Sequence, residues 1–392
     1  EMIVYLKNGC DTALHITDIA TLDSSHFKIY NADDDSSSAV ERTLLPGVVD
    51  SFAVKFEANH SNALTHSADL TIFSSECADK IIPMRSRVLS GIHVEAGEVF
   101  GEWTRENSPY NIMGDISIAE YETLEIEPGV TVLFWGDYFV DIGENAQLLA
   151  RGTETDSIHF IAADTVAGWQ GFWFHNSGDD DTLRYCNIFN MKMNYKEDAP
   201  LTKGACIQIE TSSPTFDHTL FADNYCVESM NSIVQCFVGS PKFNYSHFAQ
   251  NSVHSMGLMY LFDASIEFQN CRFYENDSPI LRVTDSDILV KNTSIVVNSR
   301  ASIFDLQNTS RLSVSSSIIW NDGSSQILTL GSGSKAVFEY SNVDTLAAEW
   351  IEYRESEKEQ KDDLQWGSGN MCTEPMFVDP QKGNFYLLPE SP

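Results

Sequence analysis

The sequence predicts an all-β protein, a right-handed parallel β-helix (solenoid) preceded by a small β-sandwich. Three observations predict it. A segment recurs through the second half of the chain at intervals of 22–27 residues. The first ninety residues alternate apolar and polar side chains between turn signals. With 42% apolar residues, a chain of 392 residues can bury more than one core.

Residues 1–91 are read as the sandwich. Short alternating strands are expected over 3–6, 13–16, 52–56, 69–73 and 81–84. Asn8-Gly9 and Leu45-Pro46-Gly47 supply turns, and Asn31 opens a polar loop that carries Asp33, Asp34 and Asp35. Cys10 and Cys77 are the two cysteines of this region and could bridge its strands, although connectivity cannot be read from sequence.

Residues 92–344 are read as the solenoid. Copies begin at Phe216, Phe243, Phe268, Val290, Ser313 and Phe338, with an earlier one at Leu183. These starting residues form one inward column, and Ile188, Phe221, Phe248, Phe273, Ile295, Ile318 and Val343 form a second. Between the two lies a column of small residues, Cys186, Thr219, Ser246, Cys271, Thr293, Ser316 and Ser341, as a tight interior beside a bend requires. In that column Cys186 and Cys271 read as buried thiols standing in for Ser or Thr. Asn224, Asn251, Asn276, Asn298 and Asn321 fall three residues after the second apolar column, where Asn tolerates left-handed backbone and stacked amides can form a ladder. Coils stack about 4.8 Å apart, so roughly ten of them make a rod on the order of 50 Å long. Its first strand is placed at residues 114–118.

Two segments interrupt the repeat. Residues 191–204 should loop out of the rod. Residues 345–392 hold a charged insertion and a closing segment, and the insertion, 345–365, is rich in helix formers and reads as a short helix, with disorder as the alternative.

The motifs of residues 1–91, including Val54-Lys55-Phe56 and Ala68-Asp69-Leu70-Thr71-Ile72, resemble the immunoglobulin-like (choice-of-anchor type) domains beside β-helices in exported bacterial proteins. Gly114-Asp115-Ile116, Ile126-Glu127-Pro128-Gly129-Val130, Gly168-Trp169-Gln170-Gly171 and Glu374-Pro375-Met376-Phe377-Val378-Asp379-Pro380 are similar to the opening and closing coils of exported right-handed parallel β-helix repeat proteins. Tyr121 stands where that family commonly has Gly. The resemblance implies a secreted or cell-surface protein and a longer polypeptide. It also implies a sandwich short of an edge partner, open to self-association or strand exchange.

The formal charge of -33 disfavours nucleic acid, which would be repelled, and an anionic membrane surface. No apolar run is long enough for a transmembrane segment. Ca²⁺ could bind at Asp33, Asp34 and Asp35 or at Asp179, Asp180 and Asp181, against the plainer reading of solvated acidic loops. Trp135, Tyr138 and Trp173 could stack on sugar rings or pack beneath loops. Arg272, Arg282, Lys291, Arg300 and Arg311 share no alignment column with an acidic cage. No catalytic constellation or cofactor fingerprint stands out. The expected function is therefore a non-catalytic extracellular module for adhesion, spacing or self-assembly, with polysaccharide as a partner. A polysaccharide lyase or glycoside hydrolase is the alternative, signalled by an outer face on which carboxylates or cations converge.

Overall fold

The computed structural model describes residues 2–392 except 22–23, 25–26, 32–40, 57–64, 88–89, 179, 194–204, 227–230, 255, 297–301, 322–325, 347–349, 355–362 and 381–383. The chain divides into two compact units, residues 1–90 and 91–392.

In the first unit two antiparallel sheets share one apolar core. Met2–Lys7, Val49–Phe56 and Phe27–Asn31 form one sheet; Arg42–Leu44, Leu14–Thr21, Thr65–Ser74 and Lys80–Arg87 form the other. The core draws Phe27, Phe52 and Val54 from the first and Leu44, Leu70 and Ile72 from the second by period-2 alternation, while a bulge after Ile16 brings both Ile16 and Ile19 inward. Asn8 is buried at the turn, where its amide nitrogen donates to the Leu44 carbonyl at 2.7 Å. Met2–Lys7 lies at a sheet edge with Tyr5 exposed. The expected Cys10–Cys77 bridge is absent: both thiols are free and exposed. Each is tied into its own turn, Cys10 by a backbone bond to Asn8 Oδ1 and Cys77 by one to Ser74 Oγ.

The second unit is a parallel β-helix of eleven coils, each giving one strand to each of three eleven-stranded sheets. Face 1 runs from Ile92–Val94 to Asn342–Val343, face 2 from Gly97–Val99 to Ile351–Tyr353, and face 3 from Gly101–Trp103 to Leu364–Trp366. The helix therefore starts one coil before residues 114–118. The interior is continuous and apolar. Ring stacks repeat along it at nearly the coil spacing: Phe221 on Phe248 at 4.6 Å and Phe248 on Phe273 at 4.7 Å, beside Phe216 on Phe243 at 4.8 Å.

Corners are made by single residues in the left-handed region. Between faces 3 and 1 these are Tyr185, His218, Tyr245, Asn270, Asn292, Ser316 and Tyr340, and between faces 2 and 3 Asn176, Thr211, Val238, Asp263, Asp285 and Asn308. Left-handed backbone costs an L-residue roughly 1–2 kcal/mol. Ladder bonds that continue through the corner offset it: the Tyr185, His218 and Tyr245 N–H groups donate to carbonyls of the following coil at 2.8–2.9 Å. Tyr121 likewise takes a positive φ of 64° with its ring exposed, so it keeps the conformation a Gly would adopt.

At the corner between faces 1 and 2 the left-handed residue is the one before each ladder Asn, namely Asp223, Gln250 and Glu275. The Asn side chain is thereby turned inward. Asn224, Asn251 and Asn276 are buried; the Nδ2 of Asn224 and of Asn251 donates both to the next Asn Oδ1 and to a carbonyl of the preceding coil, as Asn251 does to Asn276 Oδ1 and Phe221 O at 3.0 Å, and Asn276 Nδ2 donates to Phe248 O. Asn298 lies outside the described residues. Asn321 is buried and keeps the backbone part of the pattern with Asp344 in place of an Asn: its N–H donates to Asp344 Oδ2 at 3.2 Å, as Asn224 N does to Asn251 Oδ1.

Three sequence expectations shift. In the later coils Val290 pairs with Val314 and Ile295 with Ile319, so Val314, Ser317 and Ile319 occupy the columns assigned to Ser313, Ser316 and Ile318. Aligning on Asn321 caused the slip, because it follows Ile319 by two residues where Asn276 follows Phe273 by three. A one-residue slip in a strand reverses every side chain, and Ser313 is exposed while Val314 is buried. Residues 191–193 do not loop out: Met191 and Met193 are buried, and Lys192–Met193 opens a short parallel sheet with Tyr225–Cys226 and Ser252–Val253. Within 345–365 the described strands are Ile351–Tyr353 and the start of Leu364–Trp366, and residues 355–362, which carry most of the expected helix, lie outside the described residues. Ile351–Tyr353 and Leu364–Trp366 complete the last coil, because pairing with the open edges of Leu328–Leu330 and Lys335–Glu339 overrides local helix propensity. Beyond it Phe377–Asp379 and Asn384–Leu387 form a hairpin whose Phe385 packs with Val296 and Trp320 of face 1.

Candidate functional site

Along each strand of face 2 the residues flanking the outward position point into the core, so the outward ones line up coil upon coil. In register they read Asp141, Trp173, Gln208, Gln235, Tyr260, Arg282 and Asp305, with Thr329 beyond. A second outward row beside it reads His175, Glu210, Phe237 and Phe262. From Asp141 to Asp305 the first row crosses six coil steps, about 29 Å at 4.8 Å each.

This row is recessed. Gln208 is 1% exposed, Gln235 2% and Asp305 5%, values expected of a core and not of an outer face. At its N-terminal end His175 Nε2 lies 2.7 Å from Asp141 Oδ1, and the Trp173 ring stacks on His175 with centroids 4.0 Å apart. The next coil places Gln208 Nε2 3.0 Å from Glu210 Oε1, to which it donates. Toward the C-terminal end Asp305 Oδ2 accepts from Arg282 Nε at 3.1 Å and from Arg354 Nη2 at 2.9 Å. Tyr260 pairs in register with Arg282, and its ring meets Phe237 edge-on at 6.0 Å.

Three atoms in the row are buried and have no hydrogen-bond partner among the described residues: Trp173 Nε1, Gln208 Oε1 and Asp305 Oδ1. A buried polar atom without a partner costs about 1–3 kcal/mol, so one donor and two acceptors held this way suit a ligand that carries both kinds of group. A shallow groove of about 360 Å³ on face 3, floored by Leu289, Ser313 and Val337, contains no such atom.

Of the three aromatic residues expected to contact a ligand, Trp173 alone lies in this row. Trp135 follows a face 1 strand and donates its Nε1–H to Asn111 at 2.9 Å; the Tyr138 ring covers Gly136. Of the carboxylates considered for Ca²⁺, Asp180 and Asp181 are among the described residues and lie in different surroundings. Asp181 is fully buried, accepting the Leu148 N–H at 2.7 Å and the Ser177 hydroxyl, whereas Asp180 is exposed. Asp179, Asp33, Asp34 and Asp35 lie outside the described residues. Among the described residues no three His, Cys, Asp or Glu side chains form a metal-holding group.

Sequence reasoning missed Asp141, His175, Gln208, Glu210 and Asp305, and separated Arg282 from any acid. The repeat alignment followed faces 3 and 1, while face 2 begins after segments of unequal length. The signal that could have found the row is polar or aromatic single residues inside apolar strands, as in Phe172-Trp173-Phe174, Ile207-Gln208-Ile209 and Phe304-Asp305-Leu306.

Residues 170–343 match the family described as the right-handed beta helix region. No curated protein matches the chain. Two solved structures of the catalytic domain of a GH87 alpha-1,3-glucanase in complex with nigerose align with 94% of this chain and 90% of theirs at 9% identity, with TM-scores of 0.22 and 0.20. Likeness at that level carries no argument about function, which rests on face 2 itself.

Proposed function

We propose that the solenoid is a non-catalytic saccharide-binding module of a secreted or cell-surface protein, holding a polysaccharide chain along face 2 parallel to the helix axis. The observation that carries this is the trio of buried atoms on Trp173, Gln208 and Asp305 that lack a hydrogen-bond partner among the described residues, set beside aromatic rings in one row. A sugar offers apolar ring faces for stacking and hydroxyls that both donate and accept, which matches that inventory. A row of about 29 Å suits an extended polymer better than a single small molecule.

Binding without turnover is favoured by how the carboxylates are engaged. Asp141 meets His175, Glu210 meets Gln208, and Asp305 meets two guanidiniums. Glycoside hydrolysis uses one carboxyl group as acid and a second as base or nucleophile, whereas each carboxylate named here is already engaged by a neighbouring side chain.

Affinity electrophoresis through gels containing neutral or uronic-acid polysaccharides tests the reading. Retardation by at least one polymer is expected, weakened at least tenfold in Trp173→Ala and Gln208→Ala and unchanged in Tyr245→Ala at the corner between faces 3 and 1. No retardation by any polymer, or full retention in Trp173→Ala, refutes it. Release of reducing ends or unsaturated sugars in the same incubations would establish the hydrolase or lyase reading in its place.

A further inference from the structure

We propose that Cys206 and Cys226 are a disulfide site that staples one turn of the β-helix. The other buried cysteines of the repeat columns have carbonyl partners: Cys186 Sγ lies 3.6 Å from Ala150 O and Cys271 Sγ 3.2 Å from Phe243 O. Cys206 and Cys226 place sulfur against sulfur at 3.3 Å, both side chains fully buried, and Cys226 Sγ also lies 3.1 Å from Ser232 O. Cys206 lies in the face 2 strand Ala205–Glu210, and Cys226 ends Tyr225–Cys226 in the short sheet of the next coil. The chain between them passes through Thr215–Asp217 on face 3 and Leu220–Ala222 on face 1 and stops at the corner before the next face 2 strand, Ser232–Phe237, just short of one turn of the solenoid. Closing the two sulfurs from 3.3 Å to the roughly 2.0 Å of a disulfide takes a shift of only about 1.3 Å.

The chemistry is a two-electron oxidation. Two thiols become one disulfide, and their two protons and two electrons pass to a disulfide oxidant such as oxidised glutathione, which leaves as two glutathione thiols. Burial pushes the Cys206 thiol well up, so little thiolate forms once the coils have closed. Exchange therefore takes place while this turn is still open, during folding. The staple would hold the strand that carries Gln208 and Glu210, yet the inference stands whether or not face 2 binds saccharide.

The test is to refold the full chain from denaturant in a glutathione redox buffer, alkylate free thiols, and map the digest by mass spectrometry. A peptide containing Cys206 joined to one containing Cys226 is expected, with Cys186, Cys236 and Cys271 alkylated. Alkylation of both Cys206 and Cys226, or pairing of either with another cysteine, overturns the proposal. Thermal unfolding supplies an independent readout: reduction should lower the wild-type midpoint by roughly 5 °C. It should leave a Cys206→Ala/Cys226→Ala double variant unmoved. Equal sensitivity to reductant in both proteins counts against the staple, and the peptide map decides alone should the double variant fail to fold.

Discussion

Replacing Asn251 probes the amide ladder where its bonding is complete. The side chain is fully buried and takes part in four hydrogen bonds. Its Oδ1 accepts from Asn224 N at 3.2 Å and Asn224 Nδ2 at 3.0 Å, while its Nδ2 donates to Asn276 Oδ1 and Phe221 O, each at 3.0 Å. Asn251→Ala removes all four and strands the Asn224 donors and the Phe221 carbonyl inside the helix. At about 1 kcal/mol for each bond the expected loss is about 4 kcal/mol. Asn251→Asp keeps an acceptor for Asn224 but turns its second oxygen toward two acceptors, Phe221 O and Asn276 Oδ1. Its carboxyl is then raised above the ordinary range by burial. The variant is destabilised while pH lies above that raised value. It regains stability as pH falls through it, because the neutral acid can donate to Phe221 O or Asn276 Oδ1. Denaturant unfolding followed by far-UV circular dichroism at pH 7 and pH 4.5 reads both effects. A loss below about 1 kcal/mol for Asn251→Ala would refute the energetic role of the ladder. An Asn251→Asp deficit, relative to wild type, that stays constant or widens on acidification would refute the buried-charge argument.

Other outcomes follow from the same geometry. Phe248→Ala interrupts the ring stack between Phe221 and Phe273 and should cost about 3–5 kcal/mol by denaturant titration; a near-neutral result would mean the core closes over the gap. Tyr121→Gly should raise stability by roughly 0.5–1 kcal/mol, since the positive φ of 64° suits Gly and the exposed ring contributes little packing; a lower thermal midpoint would contradict this. His247 is lowered to about 4 by burial, with smaller contributions from Arg272 and His218. The unfolded chain therefore takes up this proton before the folded one, and stability falls as pH drops from about 6.5 toward about 4. His247→Gln should flatten that part of the profile of thermal midpoint against pH, and an unchanged slope would place the titration elsewhere.

The parts of the fold legible in the sequence are those governed by repetition. Phe216, Phe243 and Phe268, and Phe221, Phe248 and Phe273, stand in the stacked columns that their spacing implied. A solenoid core is local in this sense, since each coil meets only its neighbours. The reading failed where a coil changed length, as at Val314 and Ile319, and where propensity competed with an open sheet edge, as at Ile351–Tyr353. The first unit lost Phe27–Asn31 and Arg42–Leu44 for a related reason: both strands are short, and long-range antiparallel partners define them.

By itself the sequence determined the solenoid, its inward columns and the inward Asn ladder, because burial of apolar and amide side chains repeats with the coil and needs no knowledge of the outside. Only the tertiary structure decided which outward residues meet. Asp141 reaches His175 across 34 positions, Arg282 reaches Asp305 across 23, and Arg354 reaches the same carboxylate across 49. Those separations depend on the length of every segment between successive face 2 strands, which no periodicity constrains. The face 2 row is a product of coil register, and register is settled by the packed helix as a whole.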